Sequence, residues 1–319
     1  VVAKTPTVTV LESERPSNQI WFGTRGLDPD KAVAEATLRK FNIYGWNQRD
    51  RPAPTKFLEV GGRAWQSAQP DTLEYWKLLN ELYANEPVAP RDRVMFGMLR
   101  SLGIAPGTPF NPDARQARIL TDAAKLGELM ARTIAYDKRY AGATVYPSKR
   151  WEYAVLFDLD QEAPDKTRVQ FDERSSWFYE AIGMSVGMQG RIVGFGQVYL
   201  ETSRDRDGNW LDGGKTYRLR VDPNPPVRQF WSITLYDNVT RGPLVTPQGA
   251  ADLSSRNPDL VKNADGSVDV YFGPERPANA ANWIRTMPGQ GWFPYFRFYA
   301  ATEAYFDKSW QLNDIELVK

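Results

Sequence analysis

The sequence predicts an α+β protein, a helical subdomain followed by an antiparallel β-sandwich. Three observations lead there. Between residues 71 and 140, apolar residues recur at helical spacing, with capping residues ahead of each run and Gly or Pro behind it. From about residue 146 the texture changes to short runs rich in Val, Ile, Tyr, Phe and Trp. These are separated by Asp-Gly, Gly-Gly and Pro-Asn-Pro, the pattern of an antiparallel sandwich or barrel. Hydrophobic residues make up 42% of the 319, enough to give two units of ordinary size a sizeable core.

Taken in order, residues 6–10 (PTVTV) alternate and predict one strand. Asp28-Pro29 reads as an N-cap followed by Pro at the first helical position, opening a short helix to about Phe41. The polar, Pro-rich run 47–56 reads as a linker. Asp71 and Glu74 form a capping box ahead of Leu73, Trp76, Leu79, Leu82 and Tyr83, and Pro87 and Pro90 stop that helix. A second helix, Arg91 to Leu102, ends at Gly103 in the C′ position. Asn111-Pro112 starts a third, running to about Tyr140 with Ile119, Ala123, Leu126 and Met130 as its inner stripe. Loops this short imply antiparallel neighbours. The clearest strands are 153–159, 215–221, 229–237, 267–272 and 292–300, with one helix at 175–188 interrupting them.

Composition excludes several classes of function. The 40 Lys+Arg against 39 Asp+Glu leave a net charge of +1, and no basic run appears, so no nucleic-acid partner is expected. No cysteine is present, which removes disulfides, thiol chemistry and Cys-ligated metals. Histidine is also absent, so this chain supplies no imidazole base and no Ser-His-Asp triad. Catalysis would have to use carboxylates, Lys, Tyr, Ser or Arg, or groups from a second chain. No cofactor is expected, and no apolar run reaches the length of a membrane span. The first residues carry neither an initiator Met nor the apolar core of a signal peptide, so Val1 is expected not to be the translation start.

Two motifs carry a bland reading beside a functional one. Gly183-Met184-Ser185-Val186-Gly187 fits G-x-S-x-G, but it follows a helical run and the chain lacks histidine. Small residues that let a helix pack closely explain it better. Asp205-Arg206-Asp207-Gly208-Asn209 has the oxygen-rich look of a calcium loop, yet Thr216 stands where an EF-hand needs a bidentate Glu. A hairpin turn is favoured over a weak cation site.

The segments FWSITLYDNVTR (230–241), SSRNPDLVKNADGSVDVYFGPERP (254–277), NWIRTMPGQGWFPYFRFY (282–299) and FDKSWQLNDIELVK (306–319) follow one another. In that order they resemble the domain family of unknown function DUF1214. The helical part, with YWKLLNELYANEPVAPRD and GIAPGTPF, resembles the region preceding DUF1214 in proteins that also carry DUF1254. The resemblance implies a jelly-roll-like sandwich over 146–319, a helical subdomain over 47–145, and residues 1–46 as the remnant of an N-terminal DUF1254-like domain otherwise absent. It also implies an extracytoplasmic location. It brings no agreed activity.

Within these segments, alternation places Trp292, Phe296 and Phe298 on one face of their strand and Phe293, Tyr295, Arg297 and Tyr299 on the other. Arg241, Arg256, Arg285 and Arg297, converging with Tyr236, Tyr271 or Trp283, would make a pocket for a carboxylate or phosphate. Structural ion pairs with Asp237, Asp252, Asp269 or Asp307 are the competing reading, and it is favoured. In NADGSVDVYFGP (263–274), Asp265-Gly266 reads as a turn, with Val268, Val270 and Phe272 inward and Ser267, Asp269 and Tyr271 outward.

The leading expectation is a protein that binds a small polar or carbohydrate-like ligand on the sandwich. The candidates are Tyr236, Arg241, Arg256, Asp269, Tyr271, Trp283, Arg285, Tyr295 and Arg297. A hydrolase or lyase using carboxylate, Tyr and Lys groups is the alternative, perhaps completed by the missing N-terminal domain. It predicts a buried acid with a raised pKa in a cleft near Arg or Tyr. A structural assembly module is the third reading, forming a homo-oligomer or joining an N-terminal fragment.

Overall fold

The computed structural model describes residues 17, 23–24, 26, 28, 30–60, 68–156, 158, 160–181 and 192–318. The strand expected at 6–10, the G-x-S-x-G stretch at 183–187 and the second half of the helix expected at 175–188 lie outside them. Two compact units result, one spanning Pro16–Trp65 and the other including Gln66–Lys319.

The smaller unit holds helix α1, Lys31–Leu38. Asp30, not Asp28, is its cap. The Asp30 carboxylate accepts from the backbone N–H groups of Ala32 (2.8 Å) and Val33 (3.3 Å), while Asp28 accepts from Asp30 N at 2.9 Å. With no buried residue to hold it, α1 stops three residues short of Phe41.

In the larger unit, α2 (Leu73–Asn85), α3 (Arg93–Arg100) and α4 (Ala114–Tyr136) come first. Thr72 caps α2 through its hydroxyl, one residue after the Asp71 expected there. Gly103 closes α3 at φ 77°, and Ile104 N–H reaches back to the Leu99 carbonyl at 3.1 Å, the Schellman arrangement. Tyr83, Ile104 and Ala105 form a small core with Trp76, Phe96 and Leu99. The buried stripe of α4 is Leu120, Ala124, Ala135 and Tyr136. The stripe expected there is displaced, since Ile119, Leu126 and Met130 are exposed. Trp76 on α2 donates its indole N–H to the Leu120 carbonyl at 2.6 Å, which fixes that face inward.

Helix α5 is Phe171–Glu180. The strands are β1 Glu152–Tyr153, β2 Gln197–Glu201, β3 Tyr217–Val221, β4 Val227–Asp237, β5 Asp252–Ser254, β6 Val268–Gly273, β7 Asn282–Arg285, β8 Trp292–Ala301 and β9 Glu316–Leu317. They make a five-stranded sheet, β1-β2-β8-β4-β5, and a four-stranded sheet, β7-β6-β3-β9. One hydrophobic core joins them, with Leu200, Trp231, Ile233, Phe296 and Phe298 from the first and Tyr217, Leu219, Val270, Phe272 and Ile284 from the second. The architecture is therefore α+β, with two facing sheets. Two expectations change. Of the described residues in the run 153–159 only Tyr153 lies in a strand, β1, and β6 pairs with β7 in parallel, so the second sheet is mixed.

The alternation in β8 holds. Trp292, Phe296 and Phe298 enter the core between the sheets, while Phe293 and Tyr295 join a second core with Ala135, Tyr136, Trp177 and Tyr179 of α4 and α5. These two helices thus cover the outer face of the five-stranded sheet. Pro294 is tolerated inside β8 because β2 pairing ends at Tyr295, one residue earlier on that side. In the 263–274 stretch, Gly266 turns at φ 83° and Asp265 accepts from Ser267 N at 3.0 Å. Ser267 differs from expectation: it is fully buried, with its hydroxyl on Asp265 at 2.6 Å.

Candidate functional site

Where α4 ends, the chain places a lysine under the sheet. The Lys138 ammonium donates to the Ala135 carbonyl at 2.7 Å, satisfying one of the carbonyls left open in the last helical turn. Its side chain is fully buried. Three glutamates surround it. Glu180, the last residue of α5, lies at 3.0 Å, Glu152 of β1 at 3.7 Å, and Glu201 at the end of β2 is in direct contact.

Strand register brings the acids together. Glu152 pairs with Glu201, and Glu201 pairs with Tyr295, so the three share one cross-strand row on the outer face. The Tyr295 hydroxyl donates to Glu180 at 2.7 Å, and Ser176, one helical turn before Glu180, donates to it at 3.0 Å. Burial raises the pKa of Tyr295, Tyr136 and Tyr140 far above the ordinary range, so these phenols stay neutral at any usable pH.

One ammonium among three carboxylates leaves an excess of negative charge in a low-dielectric site. Glu152 carries the consequence. Burial pushes its carboxyl up to about 7; Lys138 opposes the shift, and Glu180 and Asp137 add to it. Glu152 also lines a pocket of about 160 Å³ with Asp137, Thr144, Lys149, Arg150, Thr202, Ser203 and Arg204. A carboxyl poised near neutrality on a pocket wall can give a proton to a bound molecule or take one from it.

The residues singled out from sequence fall in three places. Tyr236, Tyr295 and Arg297 come together on the outer face of the five-stranded sheet. Arg297 donates to Thr234 (3.0 Å) and Tyr236 (2.7 Å), with the rings of Tyr199, Tyr236 and Tyr295 5.2 to 5.7 Å from its guanidinium carbon. Arg241, nearby in sequence, stacks on Tyr179 at 3.9 Å, bonds to Gln69 and pairs with Glu128 at 3.9 Å. On the other sheet, Asp269 holds Asn263 at 2.8 Å and pairs with Arg220 at 3.6 Å. Tyr271 and Trp283 are register partners there, and Arg285 donates to the Pro274 carbonyl at 2.8 Å. Arg256 stands apart, exposed over the Phe230 ring at 4.0 Å. In the 205–209 loop, Asp205 accepts from Asn209 N at 2.9 Å and Gly208 turns at φ 87°, as a tight turn requires.

The Lys138, Glu152, Glu180 and Glu201 cluster is not among the residues singled out from sequence. Its signal is a charged residue set inside an apolar run: Glu152 in WEYAVL and Glu201 after QVYL. A charge in such a place is buried at a cost unless it is paired.

Residues 196–303 match the family model of DUF1214, a protein of unknown function. None of the curated proteins matches the chain. Among solved structures, the VPA0106 protein from Vibrio parahaemolyticus is similar at 18% identity and a TM-score of 0.46, over 91% of this chain and 66% of that one. A putative uncharacterized protein from Burkholderia cenocepacia is similar at 16% identity and a TM-score of 0.33, over 64% of this chain and 42% of that one. The chain thus spans less than two thirds of the length of either.

Proposed function

We propose that the protein carries out acid–base chemistry, of the hydrolase or lyase type, on a small polar molecule. Glu152 is the group that gives and takes the proton. The observation that carries this reading is the pKa of Glu152, raised to about 7 by burial, on a pocket wall. Lys138 supports it from behind: its ammonium tempers the negative charge of Glu180 and Glu201 and keeps the Glu152 proton exchangeable near neutrality. Two measurements test the reading. Carbon-13 NMR of the glutamate carboxyls should find one group titrating near pH 7, missing in Glu152→Gln. A turnover screen over small esters, lactones and hydroxy acids should find an activity that Glu152→Gln lowers by about 10²-fold or more. A Glu152 that titrates at its ordinary value, or a Glu152→Gln variant with full turnover, overturns it.

A second reading, ligand binding on the sandwich, is favoured by a different cavity. About 420 Å³ opens at one end of the sheets, lined by Val221, Val227, Trp231, Leu260, Lys262 and Val268 among others. Its size is that of a small-molecule site. Thermal-shift screens over sugars, organic acids and phosphates test it. A hit abolished by Trp231→Ala supports this reading, and no hit in any class removes it.

A further inference from the structure

The pocket in front of Glu152 has a cationic wall made of Lys149, Arg150 and Arg204. All three are anchored. Lys149 donates to Asn313 Oδ1 at 3.2 Å, Arg150 Nε donates to the Arg206 carbonyl at 3.3 Å, and Arg204 stacks over Trp210 at 3.8 Å while donating to the Gly208 carbonyl at 3.0 Å. Their charge is only partly answered. Among the described residues, Lys149 and Arg150 make no ion pair. Arg204 meets Asp137 at 3.4 Å, but Arg139 already holds that carboxylate at 2.5 Å. Asp314 accepts from the Arg150 backbone at 2.8 Å, and Asp314 and Asp222 both act on Lys149, Asp222 being paired with Arg220 at 3.7 Å. Three positioned cations, whose facing carboxylates Asp137, Asp314 and Asp222 are each engaged by another group, can still take an anion, and planar guanidinium groups favour a planar one. The volume is about 160 Å³. A small acid fits.

We propose that this pocket takes a short-chain carboxylate, its anionic group on Lys149, Arg150 and Arg204 and its far end against the Glu152 carboxyl. This names the substrate class for the acid–base reading and rests on it. The groups facing Glu152 are Lys138 and Asp137 at the end of α4, Glu180 of α5, Glu201 of β2 and the three cations of the pocket wall. An anion arriving beside Glu152 favours its protonated form, so binding takes up a proton. Affinity therefore rises as pH falls through the Glu152 titration, by at most about tenfold per pH unit for one linked proton.

Titration calorimetry on the full chain with acetate, malonate and inorganic phosphate, at pH 6 and pH 8, tests the proposal. Expected are binding of acetate or malonate at pH 6, about tenfold or more weakening at pH 8, and a further loss of about tenfold in Arg150→Gln/Arg204→Gln at both pH values. In Glu152→Gln the carboxylate still binds but the pH slope is gone. Arg150 is exposed, so Arg150→Gln alone gives a folded comparison if the double variant does not fold. No carboxylate binding, phosphate bound more tightly than both carboxylates, or arginine variants that bind unchanged would each overturn the substrate class. The carboxyl titration of Glu152 is read separately by NMR. An ordinary value there defeats the acid–base reading, while carboxylate binding is still judged by the calorimetry.

Discussion

Two glutamates directly opposite on neighbouring strands repel each other, and Glu152 faces Glu201 in this way. Lys138 lies against Glu201 and farther from Glu152, so Glu152 holds its proton up to about pH 7. The stability consequence has a definite sign. Glu152 ionises at its ordinary 4.5 when unfolded and at about 7 when folded. Below pH 4.5 both states are protonated and the group contributes nothing. Between 4.5 and 7 the unfolded chain is ionised while the fold holds the proton, so stability falls as pH rises. Above 7 the full cost, on the order of 3 kcal/mol, is in place. Glu152→Gln should therefore raise the melting temperature at pH 8, leave it nearly unchanged at pH 4.5, and flatten the profile between them. Differential scanning calorimetry at the two pH values checks this. Lys138→Met should act in the opposite direction at pH 8. It strands Glu180 and Glu201, buried at 0% and 3% exposure, and should cost about 3–5 kcal/mol in urea unfolding. Adding Glu201→Gln to Lys138→Met should recover part of that loss.

At the scale of elements, α4 decides how much of the molecule sequence can disclose. Its residues satisfy helical spacing on two stripes, 119/123/126/130 and 120/124/131/135, and periodicity cannot choose between them. Packing chooses: Trp76 of α2 and the outer face of the sheet both bury the second stripe. The same ambiguity hid the site. Lys138 and Glu180 face Glu152 only because α4 and α5 dock on the outer face of the sheet, an association between elements far apart in sequence. By contrast, β3, β4, β6 and β8 were readable because alternation and Asp-Gly turns are local. So were the two faces of β8, down to Phe293 and Tyr295 on the helix-covered side. The aromatics and arginines legible as a candidate site lie within residues 236–297, whereas the buried charge cluster takes Lys138, Glu152 and Glu180 from before residue 196. A direct comparison tests the assignment of α4. Ala124→Lys should destabilise by about 2–3 kcal/mol by burying an unpaired charge, and Met130→Lys should stay within about 0.5 kcal/mol. Urea midpoints of the two variants decide it. Equal effects would mean that the helix is rotated from the orientation described.

At the scale of the whole molecule, one region leaves its apolar surface uncovered. Among the described residues, the small core beside α2 and α3 holds Tyr83, Ile104 and Ala105, and α4 adds Leu120 and Ala124. On the same helices Leu82, Val94, Met98, Leu126 and Met130 are 50% to 75% exposed. The smaller unit, by itself, shows the same property, with Ile43, Trp46, Leu58 and Val60 58% to 71% exposed. Scattered exposed apolar residues are ordinary, but this many on three consecutive helices lower solubility and favour association. The near-zero net charge of +1 gives little long-range repulsion to oppose it. The chain is therefore expected to self-associate as concentration rises. Sedimentation velocity over a hundredfold concentration range should show the weight-average coefficient increasing, more steeply in high salt. Val94→Glu/Met98→Glu/Met130→Glu should keep the sheets and the Glu152 titration intact while removing most of the concentration dependence, because all three side chains already face water. If the triple variant associates as strongly as the parent, the helices are not the sticking surface, and the exposed aromatic residues of the smaller unit become the region to substitute next.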